Sequence, residues 1–297
     1  MRILLIGDVV GRPGRRALAA HLPALRRTHG ADFVIVNGEN AAGGSGLTPK
    51  ALQELVSAGA DAVTTGDHIY KNKDVFACIG EDRLLRPLNY VPAAAGRGLG
   101  VYPVGGSSDE SKDAARAPPV HVAVVNLIGR VFMNPAECPF LAVDRALEEL
   151  SGRAQVVVVD MHAEATSEKV AMGWHLDGRV AVVAGTHTHV PTADARVLPG
   201  GTAYITDLGM TGSYDSVLGR DKESVIYHFT TAMPARFEVA KGDVRVAGAV
   251  VDVDASTGLA RSIDPFLVEA QAARTGARSA KSDENPAGGP PTPENAS

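Results

Sequence analysis

The stretch RILLIGDVVGRPGRRALAAHLPALRRTHGADFVIVNGEN, residues 2–40, decides the fold. Its apolar runs Arg2–Ile6 and Phe33–Val36 are typical of buried strands, and residues 13–27 between them repeat leucine at helical spacing. A second helical stretch and a third apolar run, Ala62–Thr65, follow. Near-continuous apolar strands that alternate with helices predict a parallel sheet with both faces covered.

The remainder of the chain continues the alternation less regularly. Further strands are predicted at Val101–Val104, Val120–Leu127, Gln155–Asp160, Arg179–Ala184 and Ala203–Thr206, with a helix around Val143–Leu150. Arg236–Val239 and Val244–Val253 predict a closing antiparallel hairpin around Gly242. The polar residues 105–119 predict a long exposed loop.

Composition limits the classes of protein that the chain can belong to. With 297 residues and 45% hydrophobic content it can bury one large core, which we assign to residues 1–270. Residues 271–297 contain no valine, isoleucine, leucine, methionine or aromatic side chain, which predicts a disordered tail. A net charge of −5 without a basic stripe argues against an extended nucleic-acid surface. Small anionic ligands remain compatible if a metal supplies positive charge.

Cysteine usage and hydropathy indicate a cytoplasmic protein. Cys78 and Cys138 are the only cysteines and form no C-x-x-C pair, so a disulfide framework is not expected. The apolar run at the amino terminus is interrupted by Asp8, far short of the ~20 residues that a membrane span needs. The sequence therefore predicts no membrane partner.

Polar residues capable of binding metal or transferring protons follow five of the predicted strands. They are Asp8, Glu39 with Asn40, Asp67 with His68, His162, and His187 with His189. Because loops beyond one end of the strands form the ligand crevice of layered α/β proteins, these residues predict one convergent site. Each residue alone has an ordinary structural interpretation, such as a helix cap, a turn or a core histidine. The joint pattern favours a functional site, and the His-x-His pair is its strongest element.

The residue types predict the chemistry of the site. Carboxylates and imidazoles without a thiolate suit manganese, iron or zinc. Seven candidate ligands are too many for one four-coordinate ion and suit two ions that share a carboxylate. Two ions about 3.5–4 Å apart can clamp a phosphoryl group while a hydroxide between them attacks phosphorus. The sequence therefore predicts phosphoester hydrolysis.

Five long motifs resemble the YmdB-like branch of the calcineurin-like metallophosphoesterases. They are GDVVGRPGR (7–15), VNGENAAGG (36–44), TTGDH (64–68), DMHAEATSEK (160–169) and GTHTHVPTADARVLPGGTAYITDLGMTG (185–212). The resemblance runs in order from Met1 to Pro265. It implies an α/β fold, a four-layer sandwich of two mixed β-sheets flanked by helices.

The resemblance also implies an activity and a role for each residue. The expected reaction is hydrolysis of 2′,3′-cyclic nucleotides to 3′-nucleotides at a dinuclear iron-type or manganese-type centre. Asp8, Glu39, Asn40 and His189 would hold the first metal, whereas Glu39, Asp67, His162 and His187 would hold the second. Glu39 would bridge the two ions, and His68 would donate a proton to the leaving oxygen. Independently of the resemblance, residues 166–168 are expected to shape the loop that orients His162.

Two features of the sequence depart from the family pattern. Asp67 stands where the resemblance implies asparagine, in a Gly-Asn-His motif. The extra negative charge is expected to bind metal more tightly and to weaken its Lewis acidity. Residues 105–119 are longer than the hairpin turn expected there, which should affect only the rim of the site.

Alternative functions remain open at this point. A general phosphomonoesterase could use the same centre on another small phosphoester. A metal-dependent nucleotide-sensing or RNA-associated regulatory protein would result if Asp67 had weakened catalysis. An amidohydrolase barrel is disfavoured because its His-x-His pair normally follows the first strand. Self-association into a homo-oligomer is also left open.

Overall fold

The computed structural model describes residues 1–105 and 118–270. The strands in these residues are β1 (Arg2–Ile6), β2 (Asp8–Val9), β3 (Phe33–Asn37), β4 (Ala62–Thr64), β5 (Leu84–Leu85), β6 (Leu99–Val104), β7 (Val120–Ile128), β8 (Val156–His162), β9 (Val182–Thr186), β10 (Arg196–Val197), β11 (Ala203–Ile205), β12 (Met210–Ser213), β13 (Val244–Asp254) and β14 (Leu259–Glu269). The α-helices are α1 (Gly11–His29), α2 (Pro49–Ala58), α3 (Pro139–Leu150), α4 (Thr166–His175) and α5 (Lys222–Thr231). A short 3₁₀ helix covers Lys73–Ala77.

These strands form two mixed sheets. The first has the order β2-β12-β13-β1-β3-β4-β5, with β14 beside β13, and the second has the order β10-β11-β9-β8-β7-β6. Strands β1, β3, β4 and β5 run parallel, while β13 pairs with β1 in the antiparallel sense. In the second sheet β7, β8, β9 and β11 run parallel, and β6 and β10 close its edges in the antiparallel sense. The parallel strands therefore direct their carboxyl ends to common edges.

Alternation along each strand sorts the side chains into four layers. On β1, Leu4 and Ile6 pack with buried leucines of α1 and α2 such as Leu18. The opposite face of β1 carries Ile3 and Leu5, which pack with valines of β7, β8 and β9 between the two sheets. The outer face of the second sheet packs against α3 and α4. The order helix, sheet, sheet, helix confirms the predicted four-layer sandwich.

The predicted hairpin around Gly242 is wrong. Val244–Asp254 pairs instead with Leu259–Glu269, across a turn that contains Gly258 at a φ of 74°. Residues 236–239 form no strand, because they bond to the residues just before α5 instead of to β13. Asp221 N, for example, donates a hydrogen bond to Glu238 O at 2.9 Å. The sequence pattern did not reveal which of two apolar segments would be the partner of β13.

Residues 166–168 begin helix α4, directly after the short loop that follows His162. Glu168 is buried there, and its carboxylate accepts hydrogen bonds from the backbone of Arg130 at 3.0 Å. Its role is thus to join α4 to the loop after β7.

Two predictions fall on residues 106–117 and 271–297, which lie outside the described residues. The first range belongs to the predicted long loop and the second is the predicted disordered tail. The domain boundary at residue 270 therefore stays a prediction. Among the residues that the structure does describe, no helix combines the length and the apolar character that crossing a bilayer requires.

Candidate metal centre

The structure brings all eight predicted site residues together beyond the carboxyl ends of the central strands. Asp8 follows β1 and begins the short strand β2, which pairs with β12 at Met210. The other seven follow or end strands β3, β4, β8 and β9: Glu39, Asn40, Asp67, His68, His162, His187 and His189. The two sheets therefore contribute jointly to one site, in which the roles of the residues remain predictions.

Asp8, Asn40 and His189 form one half of the site. Nε2 of His189 lies 3.1 Å from Nδ2 of Asn40 and 3.7 Å from Oδ1 of Asp8. Asp8 and Asn40 are buried, so these groups face one another rather than solvent. These three residues belong to the predicted first set of ligands, whose fourth member is Glu39, and their role as ligands stays a prediction.

Glu39, Asp67, His162 and His187 form the other half. Each offers one ligand atom, and the four atoms all lie within 4.8 Å of one another. Nε2 of His162 is 2.7 Å from Oε2 of Glu39 and 3.4 Å from Oδ1 of Asp67. Nδ1 of His187 is 3.5 Å from the same Asp67 oxygen. Carboxylate oxygens and imidazole nitrogens at such spacing form a group suited to a transition metal.

Three carboxylate oxygens of the site are buried, and among the described residues the only possible donors near them are the imidazole nitrogens of the site itself. They are Oδ1 of Asp8, Oε2 of Glu39 and Oδ1 of Asp67. A buried acceptor without a partner costs roughly 1–3 kcal/mol, more when the group is charged. All three belong to predicted ligands, and a cation would satisfy them together. The residues present therefore fit a metal.

The pKa shifts of the site residues also indicate that the buried carboxylates lack compensating positive charge. Burial raises the pKa of Glu39 to about 8, and the neighbouring Asp67 and Asp8 charges add to that rise. The pKa of His162 is raised well above its usual value: burial opposes the rise, but the Glu39 charge outweighs it. Burial and the His162 charge lower the pKa of His187 to about 4. Protons held between carboxylates and imidazoles are what a metal ion displaces when it binds.

Each of the three histidines predicted as ligands is oriented by a contact at one of its ring nitrogens. Nδ1 of His162 lies 2.9 Å from Oγ1 of Thr186, and Nε2 of His187 lies 3.1 Å from a carboxylate oxygen of Glu164. Nδ1 of His189 lies 3.1 Å from the carbonyl oxygen of Leu218. Such contacts fix which nitrogen faces a metal. Nε2 of His162, Nδ1 of His187 and Nε2 of His189 are thereby directed into the site.

The His187-Thr188-His189 segment adopts a strained backbone that its neighbours hold in place. The φ angles of His187 and His189 are 93° and 65°, in a region that residues with a side chain rarely occupy. Asp8 accepts a hydrogen bond from His187 N at 3.1 Å, and Asp207 accepts one from Thr188 N at 3.1 Å. Asp207 is itself paired with the fully buried Lys169 at 2.8 Å. This support places both imidazoles on the metal side of the loop.

Because Gly66 has no side chain, Glu39 of the first sheet and His162 of the second can both approach its backbone closely. A Cβ atom at this position would lie 1.7 Å from Oε2 of Glu39 and 2.1 Å from the ring of His162. Any larger residue would displace both predicted ligands. Glycine directly before Asp67 is therefore a steric requirement of the site.

His68 lies at the edge of the group, with 29% of its side chain exposed. Its Nδ1 is 2.9 Å from Oδ1 of Asn40, and its Nε2 is 3.6 Å from Oδ2 of Asp67. Burial lowers the pKa of His68, and the nearby Asp67 charge opposes that change. Because Asn40 engages Nδ1, Nε2 is the nitrogen that remains for exchange of a proton with a ligand.

Sequence reasoning missed the buried polar residues that support the ligands. Asp160, Thr186, Lys169 and Asp207 are buried, and each lies within or directly beside a quoted motif. A signal was present at Asp160, which interrupts the valine run of β8. A charged side chain in a strand that is otherwise apolar indicates a buried polar contact.

Solved structures of other proteins share this architecture. A hypothetical protein from Thermus thermophilus superposes with a TM-score of 0.82 and 42% identity, over 91% of this chain and 100% of that one. A phosphatase from Mycoplasma pneumoniae superposes with a TM-score of 0.80 and 33% identity, over 91% and 93%. The four-layer fold and the metal-binding group at its strand ends define a phosphoester hydrolase of the metallophosphoesterase class.

Sequence comparison identifies the family within this class. The family described as YmdB-like protein matches residues 4–266. A protein of Bacillus subtilis (strain 168) named 2′,3′-cyclic-nucleotide 2′-phosphodiesterase is 45% identical over 269 residues, which are 90% of this chain and 97% of that protein. The chain belongs to the YmdB-like protein family, as its motifs predicted.

Proposed function

We propose that the protein is a dinuclear metal-dependent phosphodiesterase that hydrolyses 2′,3′-cyclic nucleotides to 3′-nucleotides. The observation that carries this proposal is the convergence of two groups of predicted ligands, in each of which a carboxylate offers a buried oxygen to the centre of the site. The name of the Bacillus subtilis relative supports the choice of substrate. The physiological setting that we propose is the cytoplasm, on the basis of the cysteine usage.

The residues that would hold the ions fall into the two groups described above. Asp8, Asn40 and His189 would hold one ion, and Asp67, His162 and His187 the other. Glu39 contacts His162 of the second group and directly precedes Asn40 of the first, so it is the residue that both ions would share. Iron or manganese suits this mixture of carboxylate, amide and imidazole. When bound, two such ions would activate water and neutralise charge on the phosphoryl group.

The chain's own residues would complete the reaction. Water adds to phosphorus, the P–O2′ bond breaks, and the departing O2′ takes up a proton. The protonated ring of His68 can deliver that proton from Nε2, because Nδ1 donates to Oδ1 of Asn40 at 2.9 Å. The proton that water loses on adding to phosphorus balances the one that O2′ gains. The product keeps its phosphate on O3′.

Product analysis tests this proposal. Metal-loaded protein is expected to convert adenosine 2′,3′-cyclic phosphate to adenosine 3′-phosphate, identified by chromatography against both monophosphate isomers. Release of inorganic phosphate from adenosine 3′-phosphate at a comparable rate would favour the phosphomonoesterase instead. Binding of the cyclic nucleotide without turnover would favour the nucleotide-sensing regulatory protein.

Asp67→Asn tests the effect of the unusual aspartate. Removal of one negative charge from the second ligand group is expected to weaken metal retention roughly tenfold. It should also raise kcat at saturating Mn²⁺, because a less neutralised ion is a stronger Lewis acid. Metal content after dialysis and kcat at saturating Mn²⁺ measure the two effects. Unchanged metal retention with a lower kcat would contradict this account of Asp67.

A further inference from the structure

Beneath His162, four polar side chains form a buried cluster that joins the two sheets. This Asp160 cluster consists of Asn37, Thr64, Asp160 and Thr186, which are all at most 6% exposed. Asn37 and Thr64 end strands β3 and β4 of the first sheet. Asp160 and Thr186 lie on β8 and β9 of the second sheet. The proposed reaction assigns no role to any of them.

Asp160 is the acceptor at the centre of this cluster. Its Oδ1 accepts a hydrogen bond from Thr186 Oγ1 at 2.7 Å. Its Oδ2 accepts from Thr64 Oγ1 at 2.5 Å and from Asn37 Nδ2 at 3.1 Å. A buried carboxylate is tolerated only when donors surround it in this way.

The single proton of the Thr186 hydroxyl is therefore committed to Asp160. A hydroxyl has one proton to donate and two lone pairs with which to accept. Thr186 Oγ1 accepts from Asn37 Nδ2 at 3.3 Å and lies 2.9 Å from Nδ1 of His162. Since the hydroxyl has no second proton, the ring nitrogen must be the donor in this contact. Nδ1 of His162 thus always keeps its proton, and a cation that binds the ring can displace only a proton on Nε2.

The opposite nitrogen of the ring is then the one available to a cation. Nε2 of His162 points to Oε2 of Glu39 at 2.7 Å and to Nδ1 of His187 at 3.1 Å. We infer that Asp160 and Thr186 are positioning residues, which hold His162 in the tautomer whose Nε2 can bind a metal. This inference rests on the metal site of the proposed function but not on its substrate.

Thr186→Val tests the inference by removing the hydroxyl while nearly preserving the shape of the side chain. His162 Nδ1 would then lose its acceptor, and the ring would no longer be held in one tautomer. We expect Mn²⁺ affinity, measured by calorimetric titration of metal-free protein, to fall about 10–100-fold at one site. Thr186→Ser keeps the hydroxyl and should therefore retain the wild-type affinity for Mn²⁺.

Thr64→Val is the matched control. It removes a buried hydroxyl bonded to the same carboxylate, so it shares the cost in folding stability but does not touch His162. Thermal unfolding of both valine variants measures that shared cost, and Thr64→Val should keep the wild-type Mn²⁺ affinity. The inference is overturned if Thr186→Val binds Mn²⁺ as the wild type does, or if Thr64→Val loses as much affinity. Wild-type protein that binds Mn²⁺ without hydrolysing a cyclic nucleotide would refute the proposed function alone.

Discussion

Glu39→Gln is expected to lower kcat for a 2′,3′-cyclic nucleotide by about 10³-fold or more, since loss of a shared metal ligand removes several kcal/mol of charge stabilisation. Glu39 is fully buried, contacts His162 of one ligand group, and directly precedes Asn40 of the other. Glutamine has the same shape, but its amide cannot bridge two cations as a carboxylate does. Steady-state kinetics and metal content per chain measure the loss.

The same substitution should not unfold the protein. Burial raises the pKa of Glu39 to about 8, so the metal-free fold readily accommodates the neutral form of this side chain. Glutamine resembles that neutral form, so the melting temperature of metal-free protein should not fall. Glu54→Gln is a control for loss of a carboxylate elsewhere, since Glu54 lies on α2 in a partly buried ion pair with Arg15 of α1. Turnover by Glu39→Gln within about tenfold of wild type would contradict the bridging role.

His68→Gln is expected to lower kcat by about 10²–10⁴-fold, the usual contribution of a general acid. His68 is partly exposed at the edge of the site and is not among the predicted ligands. Metal content should therefore match that of the wild type. Kinetics with a cyclic nucleotide, alongside metal analysis, separates loss of the proton donor from loss of the metal.

A second substrate makes this test specific. A nitrophenyl phosphodiester has a leaving group that departs without protonation, so His68→Gln should slow its hydrolysis far less. Equal losses with both substrates would show that His68 does not act as the acid. Loss of metal from His68→Gln would instead show that His68 helps to hold the metal.

The strand ends could be predicted from sequence because the parallel strands are buried on both faces. Runs such as Arg2–Ile6 and Phe33–Asn37 are almost wholly apolar, so a polar residue directly after them marks the edge of the sheet. The topology then brings these edges together. For this reason the eight predicted site residues could be listed before any geometry was known.

Contacts between segments distant in sequence could not be predicted in the same way. The pairing of Val244–Asp254 with Leu259–Glu269 depends on a glycine turn, and the alternative segment 236–239 carried a similar apolar pattern. The partners of Asp160 come from three other strands, up to 123 residues away in the sequence. Local periodicity carries no information about such partners.

The measurement that tests the central claim most directly is product analysis with adenosine 2′,3′-cyclic phosphate during stepwise return of Mn²⁺ to chelator-stripped protein. Stripped protein should be inactive, and formation of adenosine 3′-phosphate should rise until two ions are bound per chain. Full turnover by stripped protein, or activity that reaches its maximum with one ion per chain, would contradict a dinuclear phosphodiesterase.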